Sequence, residues 1–294
     1  MLGMFLTLWI GAVIGTPLLV LCALRGNAAA ATALAIFGMY RSCLNVRGSS
    51  RVRRWMALAP RPYLLPLHVR YVKHDDDASR DTRTFYGFHP HGVLSIGWCH
   101  ACSLAEFDAN DTHFLASRAL LALPGAGELL RLAGIRPSDR STFKQLMHYG
   151  NNLAILIGGF EEAALFKRNA YRVFCKQRKG FIKYLLQHGY HVRPVFIFGE
   201  EKTYWALQAF PKLRMWLAKH GIPGVAFIGF GHMPDFRHGA CIAIGRRLHM
   251  PRSENPSTEE VDYHHGRYID ALREAFDCHK AEFAVDHNAQ LEIF

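Results

Sequence analysis

The first 24 residues carry no charged side chain, and no other feature limits the fold of this chain as strongly. As a helix that rises about 1.5 Å per residue, such a run reaches about 36 Å, enough to cross the hydrocarbon core of a bilayer. Arg25 ends the run, and a second apolar stretch, residues 28–40, is too short to cross alone. The sequence predicts a spanning helix followed by a partial one, or a re-entrant hairpin. A cleaved signal peptide is the alternative, but no basic residue precedes the run.

A cluster of arginines follows the second apolar stretch: Arg41, Arg47, Arg51, Arg53 and Arg54. The positive-inside rule places this flank on the cytosolic side of a membrane. The cluster either binds anionic headgroups, at about 1 kcal/mol per charge near the surface, or acts only as a topology signal. We therefore predict a membrane hairpin with a basic juxtamembrane segment at 1–54 and a cytosolic domain at 55–294.

The overall composition excludes several classes of protein. Half of the residues are hydrophobic (50%), so the chain can bury enough surface to avoid disorder. Apolar runs of about 18 residues or more do not recur, which excludes a polytopic transporter. The net charge of +11 predicts a surface that attracts phosphates, nucleic acid or anionic lipid. The seven cysteines have no regular spacing, so we expect reduced thiols and no disulfide framework.

Residues 55–294 alternate short β-rich runs with longer helical ones. This alternation is typical of an α/β layered domain with a mainly parallel or mixed sheet. In such sheets ligands bind beyond the carboxyl ends of the strands, so residues directly after each strand are candidate site residues. The predicted strands are 84–88, 113–116, 153–157, 192–198, 225–230 and 241–244. The predicted helices are 93–107, 120–132, 141–148, 180–187, 204–219 and 259–279.

The first of these strands ends in His89-Pro90-His91-Gly92. Pro90 restricts the backbone between the two imidazoles, and Gly92 permits a close backbone approach where the next helix begins. A histidine can supply a general base, and the amino terminus of the helix beside it can supply a dipole that stabilises an oxyanion. Acyl transfer from a thioester to a hydroxyl requires both groups. Two alternatives stay open: a pair of partly exposed turn histidines, and half of the metal site of a hydrolase.

Carboxylates follow two later strands. Gly158 and Gly159 permit a tight turn that leads to Glu162. The Glu162 carboxylate can orient an imidazole or hold the acceptor's hydroxyl. A glutamate in the first turn of a helix is also favoured by the helix dipole alone. Glu200 stands at the end of the strand predicted at 192–198.

Candidate phosphate-binding cations lie at two predicted helix starts. Arg178, Lys179 and Lys183 open one helix, where their repulsion by the helix dipole would be relieved by an anionic partner. A solvated face is the alternative. Arg140 and Lys144 are further candidates, beside residues suited to helix capping.

Together these blocks resemble the type-2 diacylglycerol acyltransferase family, which includes diacylglycerol, monoacylglycerol and wax-alcohol acyltransferases. The resemblance covers about residues 60–284. The matching blocks are 86–92 with His-Pro-His-Gly, 158–162 with Gly-Gly-x-x-Glu, 178–200 from Arg-Lys-Gly-Phe to Phe-Gly-Glu, and the closing segment 254–280.

The resemblance implies an endoplasmic-reticulum membrane enzyme, with lipid droplets as a second location, that transfers an acyl chain from acyl-CoA to diacylglycerol or a related neutral lipid. The related glycerolphosphate acyltransferases use a His with an Asp five positions later, where this chain has Leu94 and Ile96. Glu162 is therefore the candidate orienting carboxylate. We expect direct transfer in a ternary complex, with His89 or His91 as base and the Gly92 amide near the thioester oxygen. Residues i and i+2 of an extended segment point both rings the same way, so the sequence does not decide which histidine is the base.

In this hypothesis acyl-CoA is a substrate, and the enzyme requires no cofactor or metal. Nucleic acid is not expected as a partner, and the hypothesis is compatible with an oligomeric enzyme. The cations at the two predicted helix starts would neutralise the phosphates of coenzyme A. The segment 5–8 also resembles a neutral-lipid motif of some family members. Residues 231–238 replace the basic or Pro-rich run that members usually carry before the strand that precedes the closing helix, so the acceptor pocket is expected to differ from theirs. The alternatives from other classes are a metal-dependent hydrolase and a non-catalytic lipid-binding membrane protein.

Overall fold

A computed structural model describes residues 2–43, 69–73, 81–102, 104–229, 235 and 239–294. The chain forms two units, one comprising Met1–Pro60 and Ala116–Pro137, the other Arg61–Leu115 and Ser138–Phe294. The helices are α1 (Leu2–Leu24), α2 (Ala28–Cys43), α3 (Ile96–Ala101), α4 (Ala105–Ala109), α5 (Arg118–Ala122), α6 (Ala126–Leu132), α7 (Arg140–His148), α8 (Gly159–Ala164), α9 (Gly180–His188), α10 (Pro211–Lys219), α11 (Thr258–Asp277) and α12 (Lys280–Phe283).

The strands are β1 (Val69–Lys73), β2 (Thr84–His89), β3 (Thr112–Ala116), β4 (Arg136–Pro137), β5 (Asn152–Leu156), β6 (Tyr171–Val173), β7 (His191–Phe198), β8 (Trp205–Ala206), β9 (Phe227–Ile228), β10 (Ala240–Ile244), β11 (Leu248–His249) and β12 (Leu291–Ile293). A 3₁₀ turn, Glu200–Lys202, follows β7.

The apolar amino-terminal run forms α1 and α2, which pack against each other in the first unit. Gly26 turns the chain between them with a φ of 86°. The side chain of Asn27 then accepts a hydrogen bond from the Ala30 amide at 3.0 Å and caps α2. Within the part of the chain that the structure describes, no helix combines the length and the apolarity needed to cross a membrane. The predicted spanning helix is therefore not supported.

Two predictions at this end fall outside the structural description. Arg47, Arg51, Arg53 and Arg54 belong to the undescribed residues 44–68, and the placement of the Arg41 side chain is likewise not described. The same holds for the side chains at positions 5 and 6 of the segment 5–8.

The second unit is built on a mixed sheet, as predicted. Its strands follow the order β1-β10-β7-β2-β5-β3, and β11 also pairs with β7. The neighbours β7, β2, β5 and β3 run parallel, whereas β10 is antiparallel to β7. Two short pairs stand apart from this sheet: β12 with β6 in parallel and β8 with β9 in antiparallel orientation. Because β2, β5 and β7 run in one direction, their carboxyl ends share one edge.

An aromatic core fixes α11 against this sheet. Phe276 of α11 stacks on Phe198 of β7 with ring centroids 5.4 Å apart, and it also meets Phe196 and Tyr171 at 5.1 Å. All four side chains are buried. Burying aromatic side chains of this size stabilises the sheet–helix contact, and it positions the whole length of α11 relative to β2 and β7.

Several predicted elements differ from the observed ones. The helix predicted at 93–107 is observed as two short helices, α3 and α4. The first begins only at Ile96, because the chain turns at 92–94. The helix predicted at 120–132 is divided into α5 and α6 at Gly125, whose φ is 72°. The helix predicted at 204–219 begins only at Pro211, a residue suited to a first helical turn, after the short strand β8. The strand predicted at 225–230 reduces to β9. Six short strands were not predicted: β1, β4, β6, β8, β11 and β12.

Candidate active site

His89 ends β2 and is completely buried. Its Nδ1 lies 3.1 Å from Oε2 of Glu162, and its Nε2 lies 3.2 Å from the hydroxyl of Tyr268. That hydroxyl in turn donates to the carbonyl oxygen of Gly87 at 3.3 Å, so it accepts a hydrogen bond from the imidazole rather than donating one. Both ring nitrogens of His89 therefore act as donors, which is the hydrogen-bonding pattern of an imidazolium.

The electrostatic balance at His89 agrees with this pattern. Burial, the largest single influence, lowers the pKa of His89, but the Glu162 carboxylate and the Cys175 side chain together outweigh burial and raise the pKa to about 10. His89 and Glu162 thus form a buried charged pair at neutral pH. In that state His89 has no free nitrogen that could accept a proton.

Glu162 reaches His89 because of the tight turn between β5 and α8. Gly159 has a φ of 57°, and a Cβ at Gly158 would overlap the carboxylate of Glu162. Glu162 also accepts hydrogen bonds from the amides of His91 and Phe174, both at 2.6 Å. These amides satisfy the buried carboxylate and tie the His-Pro-His-Gly segment to α8.

Tyr268 had no role in the sequence-based hypothesis beyond its place in the closing helix. It extends from α11 to the end of β2, where Gly87 leaves room for its hydroxyl: a Cβ at Gly87 would overlap that oxygen. Burial raises the pKa of Tyr268 well above its usual range, so the hydroxyl stays protonated. Its only sequence signal is an aromatic residue on the buried face of an amphipathic helix, which does not indicate its partner.

His91 occupies a different environment from His89, although the sequence predicted that both rings would point the same way. The prediction was wrong because the chain leaves the strand at His89, and Gly92, with a φ of 62°, turns it again. The peptide bond between His89 and Pro90 is cis. The His91 ring is only partly buried and lies beside Phe160, with a centroid distance of 6.3 Å.

The partners of His91 favour a neutral ring with one open nitrogen. Burial lowers its pKa from 6.5, so the ring is uncharged near pH 7. Nδ1 lies 3.1 Å from the carbonyl oxygen of Gly92, to which it can donate, leaving Nε2 as the acceptor nitrogen. The hydroxyl of Ser95 lies 3.2 Å from Nδ1 and 3.3 Å from Nε2, so it can donate to Nε2. A general base needs a neutral ring with a nitrogen that accepts hydrogen bonds, and Nε2 meets this requirement.

The amino terminus of α3 does not supply the free dipole that the sequence predicted. The Ile96 and Gly97 amides donate to the carboxylate of Glu200 at 3.1 and 2.8 Å. Burial raises the pKa of Glu200 to about 7. A Cβ at Gly92 would overlap this carboxylate, so a glycine is needed there for packing. Within the described residues, the Gly92 amide has no acceptor.

The predicted phosphate-binding cations divide into paired and exposed ones. Arg178 binds Oε1 of Glu161 at 2.6 Å, and Lys179 binds Oδ1 of Asp262 at 2.6 Å. The chain's own carboxylates therefore already offset the charge at the start of α9, and these two cations need no external anion. Lys183 lies one turn further along α9 and is exposed.

The two candidates on α7 are exposed as well. Arg140 is the first residue of α7 and Lys144 lies one turn later, with its Nζ 5.9 Å from the centre of the Tyr184 ring of α9. The cap of α7 is Asp139, which accepts hydrogen bonds from the Ser141 and Thr142 amides at 3.2 Å.

One Cys-x-x-Cys spacing is present, at Cys99 and Cys102, although the sequence predicted no regular cysteine spacing. Both are free thiols, and the Cys102 thiol donates to the carbonyl oxygen of Trp98 at 3.4 Å. Among the described residues no group of three or more His, Cys, Asp or Glu side chains is arranged to hold a metal ion.

A protein-family model described as diacylglycerol acyltransferase matches residues 39–294. The chain is 31% identical over 274 residues to human diacylglycerol O-acyltransferase 2-like protein 6, covering 84% of this chain and 80% of that protein. It is 29% identical over 266 residues to human acyl-CoA wax alcohol acyltransferase 1, covering 83% and 80%. It is 28% identical over 271 residues to diacylglycerol O-acyltransferase 2 of Xenopus tropicalis, covering 84% and 74%. No solved structure matches significantly.

Proposed function

We propose a specific acceptor and a specific base for the acyl transfer by this chain, which belongs to the diacylglycerol acyltransferase family. The chain is an acyltransferase of neutral lipid synthesis. The proposed reaction transfers the acyl group of acyl-CoA to the free hydroxyl of diacylglycerol and forms triacylglycerol. A long-chain alcohol is the second candidate acceptor, because relatives of similar identity are named wax alcohol acyltransferases. Monoacylglycerol is the third.

The proposed base is His91, and one observation carries this choice. His89 donates from both ring nitrogens to Glu162 and Tyr268, whereas His91 is neutral and has an acceptor nitrogen. In the proposed step, the acceptor's hydroxyl gives its proton to Nε2 of His91 while its oxygen attacks the thioester carbonyl. The carbon–sulfur bond then breaks, and the proton passes from His91 to the departing thiolate of coenzyme A.

The remaining residues position this base and the thioester. Glu162 holds the His91 backbone through its amide and holds His89 through Nδ1, so His89 and Glu162 are positioning residues. The Gly92 amide is the proposed donor to the thioester oxygen. No covalent acyl-enzyme is needed in this direct transfer.

Exposed cations on α7 and α9 are the proposed binding site for the phosphates of coenzyme A. Lys183, Arg140 and Lys144 are exposed and carry this role most directly. Arg178 and Lys179 would contribute only by exchanging their carboxylate partners for phosphate.

The geometry argues against the two alternatives from other classes. A metal site shared by His89 and His91 would require an unprotonated nitrogen on each ring, and both nitrogens of His89 are engaged as donors. A lipid-binding protein without catalysis would not need a buried imidazolium beside a neutral histidine. We place the enzyme at the endoplasmic reticulum membrane with its second unit in the cytosol, and lipid droplets are a second proposed location.

The test is expression in cells that lack neutral-lipid synthesis, followed by analysis of triacylglycerol, diacylglycerol and wax ester. Triacylglycerol from the wild type and its loss in His91→Ala are expected, with the exposed His287→Ala as a matched control that keeps activity. Activity of His91→Ala close to wild type would contradict the assigned base. Wax ester as the main product would replace the acceptor and leave the base unaffected.

A further inference from the structure

An apolar surface on the second unit consists of α10, the residue before it and the β8–β9 pair. Phe210 is 71% exposed and Ile228 is 65% exposed, and Leu213, Trp216 and Leu207 are each more than half exposed. In β8 and β9, Trp205 lies directly opposite Ile228, so the two exposed side chains share one face. Large apolar side chains grouped in this way mark an interaction surface rather than ordinary exposure.

The helix α10 has its polarity reversed relative to a helix that faces water. Arg214 is only 8% exposed and donates from Nε to the carbonyl oxygen of Gly224 at 3.1 Å, while its neighbours Leu213 and Trp216 point outward. An arginine is seldom buried and a tryptophan seldom left in water when the two could exchange places. The outward face of α10 is therefore suited to a non-aqueous neighbour.

The segment of the chain that forms this face carries charge of a single sign. From position 203 to 229 the sequence contains no Asp or Glu, and Lys212 and Lys219 are exposed at the two ends of α10. The guanidinium of Arg168, which pairs with Asp235 at 3.0 Å, lies 3.9 Å from the centre of the Trp205 ring. Tryptophan and other apolar side chains bordered by lysine are the composition of surfaces that lie in the interface of an anionic bilayer.

We propose that this face, formed by Trp205, Leu207, Phe210, Leu213, Trp216 and Ile228, docks onto a bilayer with anionic headgroups. This proposal rests on the proposed function in one respect, the delivery of a membrane-dissolved acceptor. The helix α10 packs against α8, which carries Glu162, and β8 follows directly on the turn that begins with Glu200. The docked face thus lies one element away from Glu162, which holds the backbone of His91, so docking would bring the bilayer to the side of the unit that carries the proposed base.

The experiment places a photo-crosslinking benzoyl-phenylalanine at position 213 of the full chain, bound to vesicles of phosphatidylcholine and phosphatidylserine. The matched control carries the same residue at Tyr263, which is 65% exposed on α11. We expect lipid adducts at position 213, at about ten-fold higher yield than at 263. Equal yields at the two positions would overturn the proposal. So would adducts between two copies of the chain in place of lipid adducts.

Two further arms separate the docking from its charge dependence and from catalysis. Vesicles of phosphatidylcholine alone should reduce the yield at position 213 about ten-fold, and an unchanged yield would overturn the anionic preference. The same crosslink in the His91→Ala background should form as well as in the active enzyme. Loss of activity with the crosslink intact leaves the docking surface standing, whereas an active enzyme without the crosslink overturns the docking alone.

Discussion

The carboxylate of Glu162 lies 3.1 Å from Nδ1 of His89, and both side chains are almost completely shielded from solvent. Because His89 also donates to Tyr268, its charge is satisfied on both sides of the ring. A histidine held in this way supports the proposal that His91, and not His89, is the base. The His-Pro-His-Gly segment thus combines one imidazole with both nitrogens engaged and one neutral imidazole with an acceptor nitrogen.

Glu162→Gln should damage both stability and activity. Removing one partner of a buried ion pair typically costs about 3–5 kcal/mol, because the other charge is left without compensation. The thermal unfolding temperature and the acyl-transfer rate should fall together. Glu161→Gln is the matched control, since Glu161 precedes it in α8 and pairs with the partly exposed Arg178. A stable and fully active Glu162→Gln variant would contradict the role of the pair.

Gly87→Ala should destabilise the fold by overpacking, and Tyr268→Phe should partly restore it. The added Cβ would overlap the Tyr268 hydroxyl and Cδ1 of Ile157, and such overpacking costs about 1–3 kcal/mol. Removing the hydroxyl relieves one of these two contacts, so the double variant should be more stable than Gly87→Ala alone. Chemical denaturation of the two single variants and the double variant measures this coupling. Strictly additive effects would show that Gly87 does not make room for the hydroxyl.

Glu200 should make the protein less stable as the pH rises from about 4.5 to about 7. Burial raises its folded-state pKa to about 7, above the ordinary value of 4.5, so the folded state binds the proton more tightly. The resulting stability is present below the unfolded pKa and is lost as the pH rises through the folded one. By linkage this amounts to at most about 3 kcal/mol. Glu200→Gln should flatten this part of the stability profile, and a profile unchanged from the wild type would contradict the prediction.

The acid limb of the acyl-transfer pH profile should lie below pH 6.5. Burial lowers the pKa of His91 from that value, so the neutral base persists as the solution becomes mildly acidic. The measurement is the rate under subsaturating substrate between pH 5 and pH 8, with protein stability followed in parallel. A rate that falls well above pH 6.5, in protein that remains folded, would assign the base to another group.

Local sequence patterns were sufficient to predict the central strands and the turn at Gly158 and Gly159. Predicted strands over 84–88 and 192–198 agree with β2 and β7 to within one residue, because buried parallel strands leave continuous apolar runs. The predicted start of the helix at 204–219 was wrong. An apolar stretch has the same composition whether it is exposed or buried in the fold, and its exposure depends on the segments that surround it, which a local pattern does not contain.

The sequence by itself determined the α/β alternation, the family and the candidate histidines, because each depends on residue order over a few positions. Only the tertiary structure decided that Tyr268 meets His89, that Glu200 occupies the amides of α3, and that the two histidines differ in charge. Tyr268 and His89 are separated by 179 positions, and their contact exists because α11 packs across the sheet. Proton affinity and hydrogen-bond partnership follow from burial and from neighbours distant in the chain, so residue order alone does not distinguish the environments of His89 and His91.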